Sequence, residues 1–296
     1  MAVTDLHSID IGEPLDKLFS TGGTFPGAVL SLVTETPTIN IGENKPMIME
    51  GRARASLVHE GGAKSDNGRK IITKPFTTAK LVYSQRVNEE FMRWSEAKQA
   101  DFISRLVNNW LTKSIGLDID TVVLHGMDPN TGTVDTNLSN YMTKAGSSIL
   151  VPTTGTDAAS LDKDFATAVK ELEEQNISGV AVSGDAGRLL SQVVEGNQKK
   201  YPELGVFGLA GNSLAGKAAA TSPEVSRDKK TKLVLGDWNQ LLLGFAGLAE
   251  WRVHTAGDYD NSGKDLAGHN QVGIRLELPF GFQILDTKAF AVVKAA

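Results

Sequence analysis

Apolar positions between residues 88 and 125 recur at helical spacing: Ile103, Leu106, Val107, Trp110 and Leu111 follow the i, i+3, i+4, i+7, i+8 order. Asn88 is placed to cap the start, Glu89 and Glu90 sit where the helix dipole favours negative charge, and Gly126 is a natural stop. Gly116 reads as a bend. Unbroken, such a helix is roughly 50 Å long, which suits a strut better than a compact enzyme core. Further on, Leu161, Phe165, Ala168, Val169 and Leu172 share one helical face, Gly179–Val182 reads as a strand, and Asp185 opens a helix through Leu189, Leu190, Val193 and Val194. Glu195 to Gly216 reads as a mobile stretch, followed by strand-like passages at Leu214–Val225 and Lys232–Leu235. The last quarter holds two apolar blocks, 233–253 and 270–294, around a polar Gly/Asp/Asn loop, and the second block alternates as a strand does.

Before the long helix the pattern weakens. Residues 1 to about 46 are punctuated by Gly22-Gly23, Pro26-Gly27, Pro37 and Pro46, and only short runs such as Ala28-Val29-Leu30 break the polarity, which reads as a loose N-terminus. Residues 47–80 hold two strand-like runs around a polar centre. Gly61-Gly62 and Ser65-Asp66-Asn67-Gly68 supply turn chemistry, and Ile71–Tyr83 is rich in Thr, Ile, Val and Tyr. A long hairpin with so little apolar payload does not stabilise itself in water, so it needs something to lie on.

Composition sharpens this picture. The 296 residues suffice for a large core, and the absence of cysteine excludes disulfides, thiol nucleophiles and Cys-based zinc sites. Net charge is −5, which argues against a dedicated nucleic-acid binder. Against that acidic background the hairpin is basic: Arg52, Arg54, Lys64, Arg69, Lys70, Lys74 and Lys80 face only Glu50, Glu60 and Asp66. No signal peptide and no apolar run long enough to span a bilayer is visible, so the reading is a soluble, cytoplasmically made protein with no membrane partner.

Candidate chemistry is sparse. Gly211-Asn-Ser-Leu-Ala-Gly216-Lys217-Ala218 approaches a phosphate-binding loop, but Ala218 stands where magnesium needs a Ser or Thr hydroxyl, and strand-like residues follow where a helix is required. His7, His59, His125, His254 and His269 form no i, i+4 metal pair. The loop from Asp258 to Asp265 has a calcium-loop flavour but lacks the bidentate Glu at its twelfth position. The run Arg227-Asp228-Lys229-Lys230 is short and lacks aromatics, so it reads as a solvated turn. The expectation is no catalytic, cofactor or metal site.

Leu235-Gly236-Asp237-Trp238 and Ile284-Leu285-Asp286-Thr287-Lys288-Ala289-Phe290 resemble the C-terminal region of tailed-bacteriophage major capsid proteins, the Hong Kong 97 fold. Three further passages resemble the same family in the same order: Val58-His59-Glu60-Gly61-Gly62-Ala63-Lys64, Val123-Leu124-His125-Gly126-Met127-Asp128-Pro129, and Ser213-Leu214-Ala215-Gly216-Lys217, with Ala218 where Pro is usual. The resemblance implies an α+β capsid fold: an N-terminal arm (1–46), an extended β-hairpin loop (47–80), a P domain with the spine helix (81–134 and 249–281), and an A domain (135–248 and 282–296). It implies a shell protein whose copies form hexamers and pentamers of an icosahedral capsid around double-stranded DNA, without sequence-specific binding. Portal, scaffold and decoration proteins are the implied partners, and the virion, assembled in the host cytoplasm, the implied location. Contacts between copies are expected at Arg52, Arg54, Lys64, Arg69, Lys70, Lys74, Asp258, Asp260 and Lys264, with the acidic loop's self-repulsion offset by Lys264, solvent or ions. Hinges are expected near Lys80 and Gly116. A Lys–Asn crosslink, seen in some members, would draw on Lys64, Lys70 or Lys74 and on Asn261 or Asn270. Two alternatives stand beside this reading: an encapsulin-type bacterial compartment, and an α/β phosphate-ligand enzyme using Gly211–Lys217.

Overall fold

A computed structural model describes residues 27–50, 57–60, 70–173, 175–205, 208–209, 212–247 and 249–295. The first half contains α1 (Ala28–Leu32), β1 (Glu43–Asn44), β2 (Met47–Glu50), β3 (Lys70–Thr73), β4 (Phe76–Thr77), β5 (Ala79–Asn88), α2 (Glu96–Asn109), α3 (Ile115–His125) and β6 (Ile149–Pro152). There follow α4 (Ala158–Glu171), β7 (Gly179–Val182), α5 (Gly184–Leu190), β8 (Val194–Glu195), β9 (Gln198–Lys199), β10 (Leu204–Gly205) and β11 (Gly208–Leu209). The chain ends with β12 (Ser213–Leu214), β13 (Lys217–Thr221), β14 (Thr231–Gly236), β15 (Leu241–Phe245), β16 (Glu250–His254), β17 (Gln271–Ile284) and β18 (Phe290–Lys294).

The alternating block near the C-terminus becomes β17, the centre of a four-stranded antiparallel sheet. β5 lies along one edge in unbroken register from Gln271↔Asn88 to Phe280↔Ala79. β16 and β15 follow each other along the other edge. Pro279, which has no N–H to donate, falls between Glu277, the last residue paired to β16, and Phe280, the first paired to β15.

The second sheet is mixed, in the order β12-β13-β7-β14-β18-β6. Its inner strands are apolar on both faces because both faces are covered. Val180, Val182, Leu233, Leu235, Ala291 and Val293 meet Leu161, Phe165 and Leu190 of α4 and α5. The intervening Ala181, Val234 and Val292 belong to the other core, with α1, α3 and Trp238. Asp157 caps α4 and Ser183 caps α5, so the latter begins one residue before the Asp185 expected to open it.

The long helical stretch is not one α-helix. Asn88 starts only a 3-10 turn (Glu89–Arg93), without a side-chain capping bond, and the α-helix begins after Ser95. A π-helical turn over Trp110–Ser114 separates α2 from α3. Its cause is legible in the core: Ile103, Val107, Leu111, Ile115 and Ile119, spaced by fours, are all essentially inaccessible to solvent. In a regular α-helix each step of four rotates the side chain by about 40°, and the wider π-turn absorbs part of that drift. The irregularity therefore lies just before Gly116, not at it. Gly27 packs directly on the Gly116 backbone: a Cβ on Gly27 would stand 2.3 Å from the Gly116 carbonyl oxygen. Gly126 ends α3 in the left-handed conformation at φ 64°, with the Tyr141 ring against it.

Two expectations are corrected. Within the loose N-terminal segment, Ala28 and Val29 are fully buried in α1, which packs on α3, β7 and β13. The stretch 195–216 carries two short hairpins, β8–β9 and β10–β11, and buries Tyr201 and Leu204.

The two C-terminal motif passages meet. Gly236 pairs with Phe290 across β14 and β18, and the Asp237 amide donates to the Ala289 carbonyl at 3.0 Å. A Cβ on Gly236 would lie 2.2 Å from the Ala289 oxygen. Trp238, fully buried, meets the Phe290 ring edge-on at 5.5 Å. Trp238→Ala is expected to cost about 3–5 kcal/mol in urea unfolding, while exposed Val134→Ala stays within about 0.5 kcal/mol.

Candidate functional site

The residues expected to join copies fall in two places. The first is the root of the hairpin. β2 and β3 pair antiparallel from Met47↔Thr73 to Glu50↔Lys70, and β1 pairs with β4 beneath them. Because side chains alternate along a strand and cross-strand partners share a face, Met47 and Ile71 lie on the same side of this ribbon. That side is open: Met47 is 77% exposed and Ile71 63%, with Ile41 at 74% and Leu57 at 87% nearby in sequence. Lys74 closes the root, its Nζ donating to the Leu285 carbonyl at 2.8 Å. Lys80 forms an exposed ion pair with Glu277, a type of contact that contributes little. Lys70 is placed by its backbone opposite Glu50. Arg52, Arg54, Lys64 and Arg69, together with the turn residues 61–62 and 65–68, lie outside the described residues.

The second place is the polar loop between β16 and β17. Its like charges are not left to Lys264, whose backbone carbonyl is what takes part. The organising cation is Arg86 of β5. Arg86 Nε donates to Asp260 Oδ2 at 2.8 Å and Nη2 to Asp260 Oδ1 at 2.5 Å, a bidentate pair. Nη2 also reaches Asp258 Oδ1 (3.2 Å), Ser262 Oγ (2.6 Å) and the Lys264 carbonyl (2.8 Å), while Nη1 reaches Gln271 Oε1 (3.2 Å). The hydrogen bond from Arg86 holds the Asp260 carboxyl well below the usual carboxylate range. Asp258 also accepts the Ser262 amide at 3.0 Å and the Gly263 amide at 2.7 Å. These acceptors face an internal cation and internal amides. Among the described residues no group of three or more His, Asp or Glu side chains is arranged to hold a metal.

Tyr259 anchors the same loop. Its ring stacks on His254 at 5.3 Å, with Arg275 5.2 Å and Arg86 5.5 Å from its centroid. Arg275 Nη2 donates to the Tyr259 carbonyl. Gly273 of β17 makes room, since a Cβ there would stand 2.6 Å from the ring. Asn261 and Asn270 both take left-handed backbone, at φ 54° and 52°.

The phosphate-loop candidate dissolves in this geometry. Ala215 (φ 49°) and Gly216 (φ 75°) form the two-residue turn of the β12–β13 hairpin, and a strand, not a helix, starts at Lys217. Gly211 lies outside the described residues. The histidines do local work: buried His125 meets the Glu224 carbonyl through Nε2 at 2.9 Å, and His269 Nδ1 lies 2.8 Å from the Asp265 carbonyl. His59 is exposed.

Two residues escaped sequence reasoning. Arg86 has no local signal, because its acidic partners lie more than 170 positions away. Asp120 carried one: with Asp118 it is an acid inside the apolar run 117–124, and both carboxylates prove to be committed, Asp118 to Tyr83 Oη (2.5 Å) and Asp120 to the amides of α1.

The sequence pattern of the phage capsid family matches residues 26–295. The fold matches a solved chain from Gordonia phage Cozz (23% identity, TM-score 0.71, 90% of this chain and 86% of that one). It also matches one from Mycobacterium phage Ogopogo (23% identity, TM-score 0.69, 91% and 92%). A third match, at 11% identity and TM-score 0.59 over 92% and 90%, is titled the capsid of an empty GTA particle computed with C5 symmetry. Among curated proteins no sequence matches.

Arg86→Ala is expected to raise amide hydrogen exchange across 257–265 by about tenfold or more, with Arg86→Lys recovering only part of the protection because a lysine cannot bind Asp260 through two parallel bonds.

Proposed function

The chain belongs to the phage capsid family, with its Hong Kong 97 fold, and from that premise we propose that it is a major capsid protein whose copies join as hexamers and pentamers into an icosahedral shell around the double-stranded DNA of a tailed phage. Family and fold indicate a structural role rather than an enzymatic one. The observation that carries the proposal is the open face of the β2–β3 ribbon. Met47 and Ile71, both largely exposed, stand on a two-stranded sheet with no further strand beside it among the described residues. An isolated two-stranded ribbon is marginal in water, and burial of such side chains against another copy supplies roughly 1.5–3 kcal/mol each.

On this reading residues 1–46 are the arm and 47–80 the extended loop. Residues 81–134 with 249–281 form the P domain, and 135–248 with 282–296 form the A domain. The hairpin's excess of basic residues over acids on an acidic chain supports charge-guided docking on a neighbouring copy. Arg52, Arg54, Lys64, Arg69, Lys70 and Lys74 are then the contacts that seek acidic surface, and Asp258, Asp260 and Lys264 stand on the loop that meets its equivalents. Because Arg86 already offsets that loop's carboxylates, copies of it can approach with less repulsion. Closed symmetry requires each copy to offer several complementary surfaces at once. Net negative charge fits a wall that does not grip the phosphate backbone of its cargo. A portal, and scaffold or decoration proteins, complete the proposed virion, assembled in the host cytoplasm.

The purified chain is expected to form closed particles, seen in the void volume of a sizing column and by negative stain. Met47→Asp with Ile71→Asp is expected to abolish particles while leaving the circular dichroism spectrum unchanged. A folded wild-type chain that stays monomeric under every assembly condition, or a double variant that assembles as well as wild type, would overturn the proposal.

A further inference from the structure

Asp120 projects from α3 into the interior and is fully buried. One carboxylate oxygen accepts the Ala28 amide at 2.7 Å and the other accepts the Val29 amide at 2.8 Å. These belong to the first turn of α1, whose N–H groups have no partner within the helix. α1 has no side-chain cap of its own, since Gly27 stands at that position. A carboxylate 92 residues away in the sequence therefore serves as its cap. The fit is tight: Gly27 rides on the Gly116 backbone, and Leu32 reaches Gly179 of β7. α1 is thus wedged between α3 and the mixed sheet, with Asp120 as the polar contact at its buried end.

The charges around this contact are specific. From α3 itself, Asp118 is turned to Tyr83 and His125 to the Glu224 carbonyl. From the 3-10 turn after β13, Ser222 hydrogen-bonds the Asp120 carboxylate, and Glu224, itself held by Thr121 and Arg227, opposes its charge. From α1 (AVLSL) and β7 (GVAV) no titratable side chain exists. On β13 (KAAAT) the only one is Lys217, exposed at its far end. No ion pair involving Asp120 is found among the described residues.

We propose that Asp120 is a proton-operated clamp on residues 27–33, holding the segment against α3 most firmly when the carboxyl group is protonated and less firmly once it is ionised. The protonated group keeps its carbonyl oxygen for an α1 amide and gains an O–H to donate to the Ser222 hydroxyl. The ionised group keeps both amide bonds but holds its charge in a fully buried site beside Glu224, with no ion-pair partner among the described residues. Burial prevails over the bonds that favour ionisation and raises the pKa of Asp120 to about 7. With residues 27–33 undocked, the carboxyl group meets water and its pKa returns towards about 4. The docked state then binds the proton more tightly, so docking is strongest at low pH, declines as pH rises between those values, and levels off above the upper one.

The test is hydrogen exchange of peptides covering 27–33 in the full-length, unassembled chain from pH 5 to pH 8, corrected for the intrinsic rate of exchange. Protection is expected to fall by up to about tenfold per pH unit towards pH 7 and then level off, while peptides of α4 show no such trend. Asp120→Asn is expected to flatten the profile. If that variant does not fold, Glu224→Gln takes its place and moves the levelling-off point to lower pH. A wild-type profile that is flat or rises with pH, a slope retained in Asp120→Asn, or a Glu224→Gln profile that does not move would each overturn the clamp.

Discussion

The structure depends on the pairing of β5 with β17. Ten consecutive residues, 79–88, lie antiparallel to 271–280, joining parts of the chain almost two hundred positions apart. Three consequences follow from this ladder. It carries Arg86 to the loop that precedes β17, where one guanidinium gathers Asp258, Asp260, Ser262 and the Lys264 carbonyl. It turns Tyr83 towards the helices, where its ring stacks on Trp110 at 5.8 Å and its hydroxyl donates to Asp118. It also fixes the end from which the β2–β3 ribbon departs, secured by Lys74 on the Leu285 carbonyl.

The two sides of this ladder fare differently. β17 is paired along both edges, and all but three of its fourteen residues are buried. Among the described residues, the ribbon that leaves the base of β5 has two strands and presents Met47 and Ile71 to solvent. A chain that buries Trp238 and Phe290 completely, yet leaves those side chains open, has a well-formed body and an unfinished extension. Copies of the same chain can finish it, which is the physical content of the proposed shell role.

Much of this was legible in the sequence, for local reasons. The Gly-Asp-Trp passage and the Ala-Phe pair that opens the last strand announce themselves because a glycine must pass under the Ala289 carbonyl and an aromatic pair must fill one gap. The apolar phase of 103–111 marks the helical stretch of α2 and the turn after it, and Gly126 marks the end of α3. What stayed hidden depends on distant partners. The run from Ile71 to Tyr83 reads as one strand, yet the chain divides it around Pro75 into β3, which pairs with β2, and β5, which pairs with β17. The π-turn arises from core spacing that a simple helical count smooths over. α1 is invisible because five residues between prolines and threonines carry no helical signal, and its cap, Asp120, comes from another helix.

Methionine oxidation, read by mass spectrometry on free and assembled chains, tests the central claim most directly. Met47 stands on the open ribbon face, and Met142 is fully buried in the body and serves as the internal reference. The expected result is rapid oxidation of Met47 in the free chain, strong protection of Met47 in particles, and slow oxidation of Met142 in both. Equal Met47 oxidation in the two states would contradict the claim that sister copies cover this face.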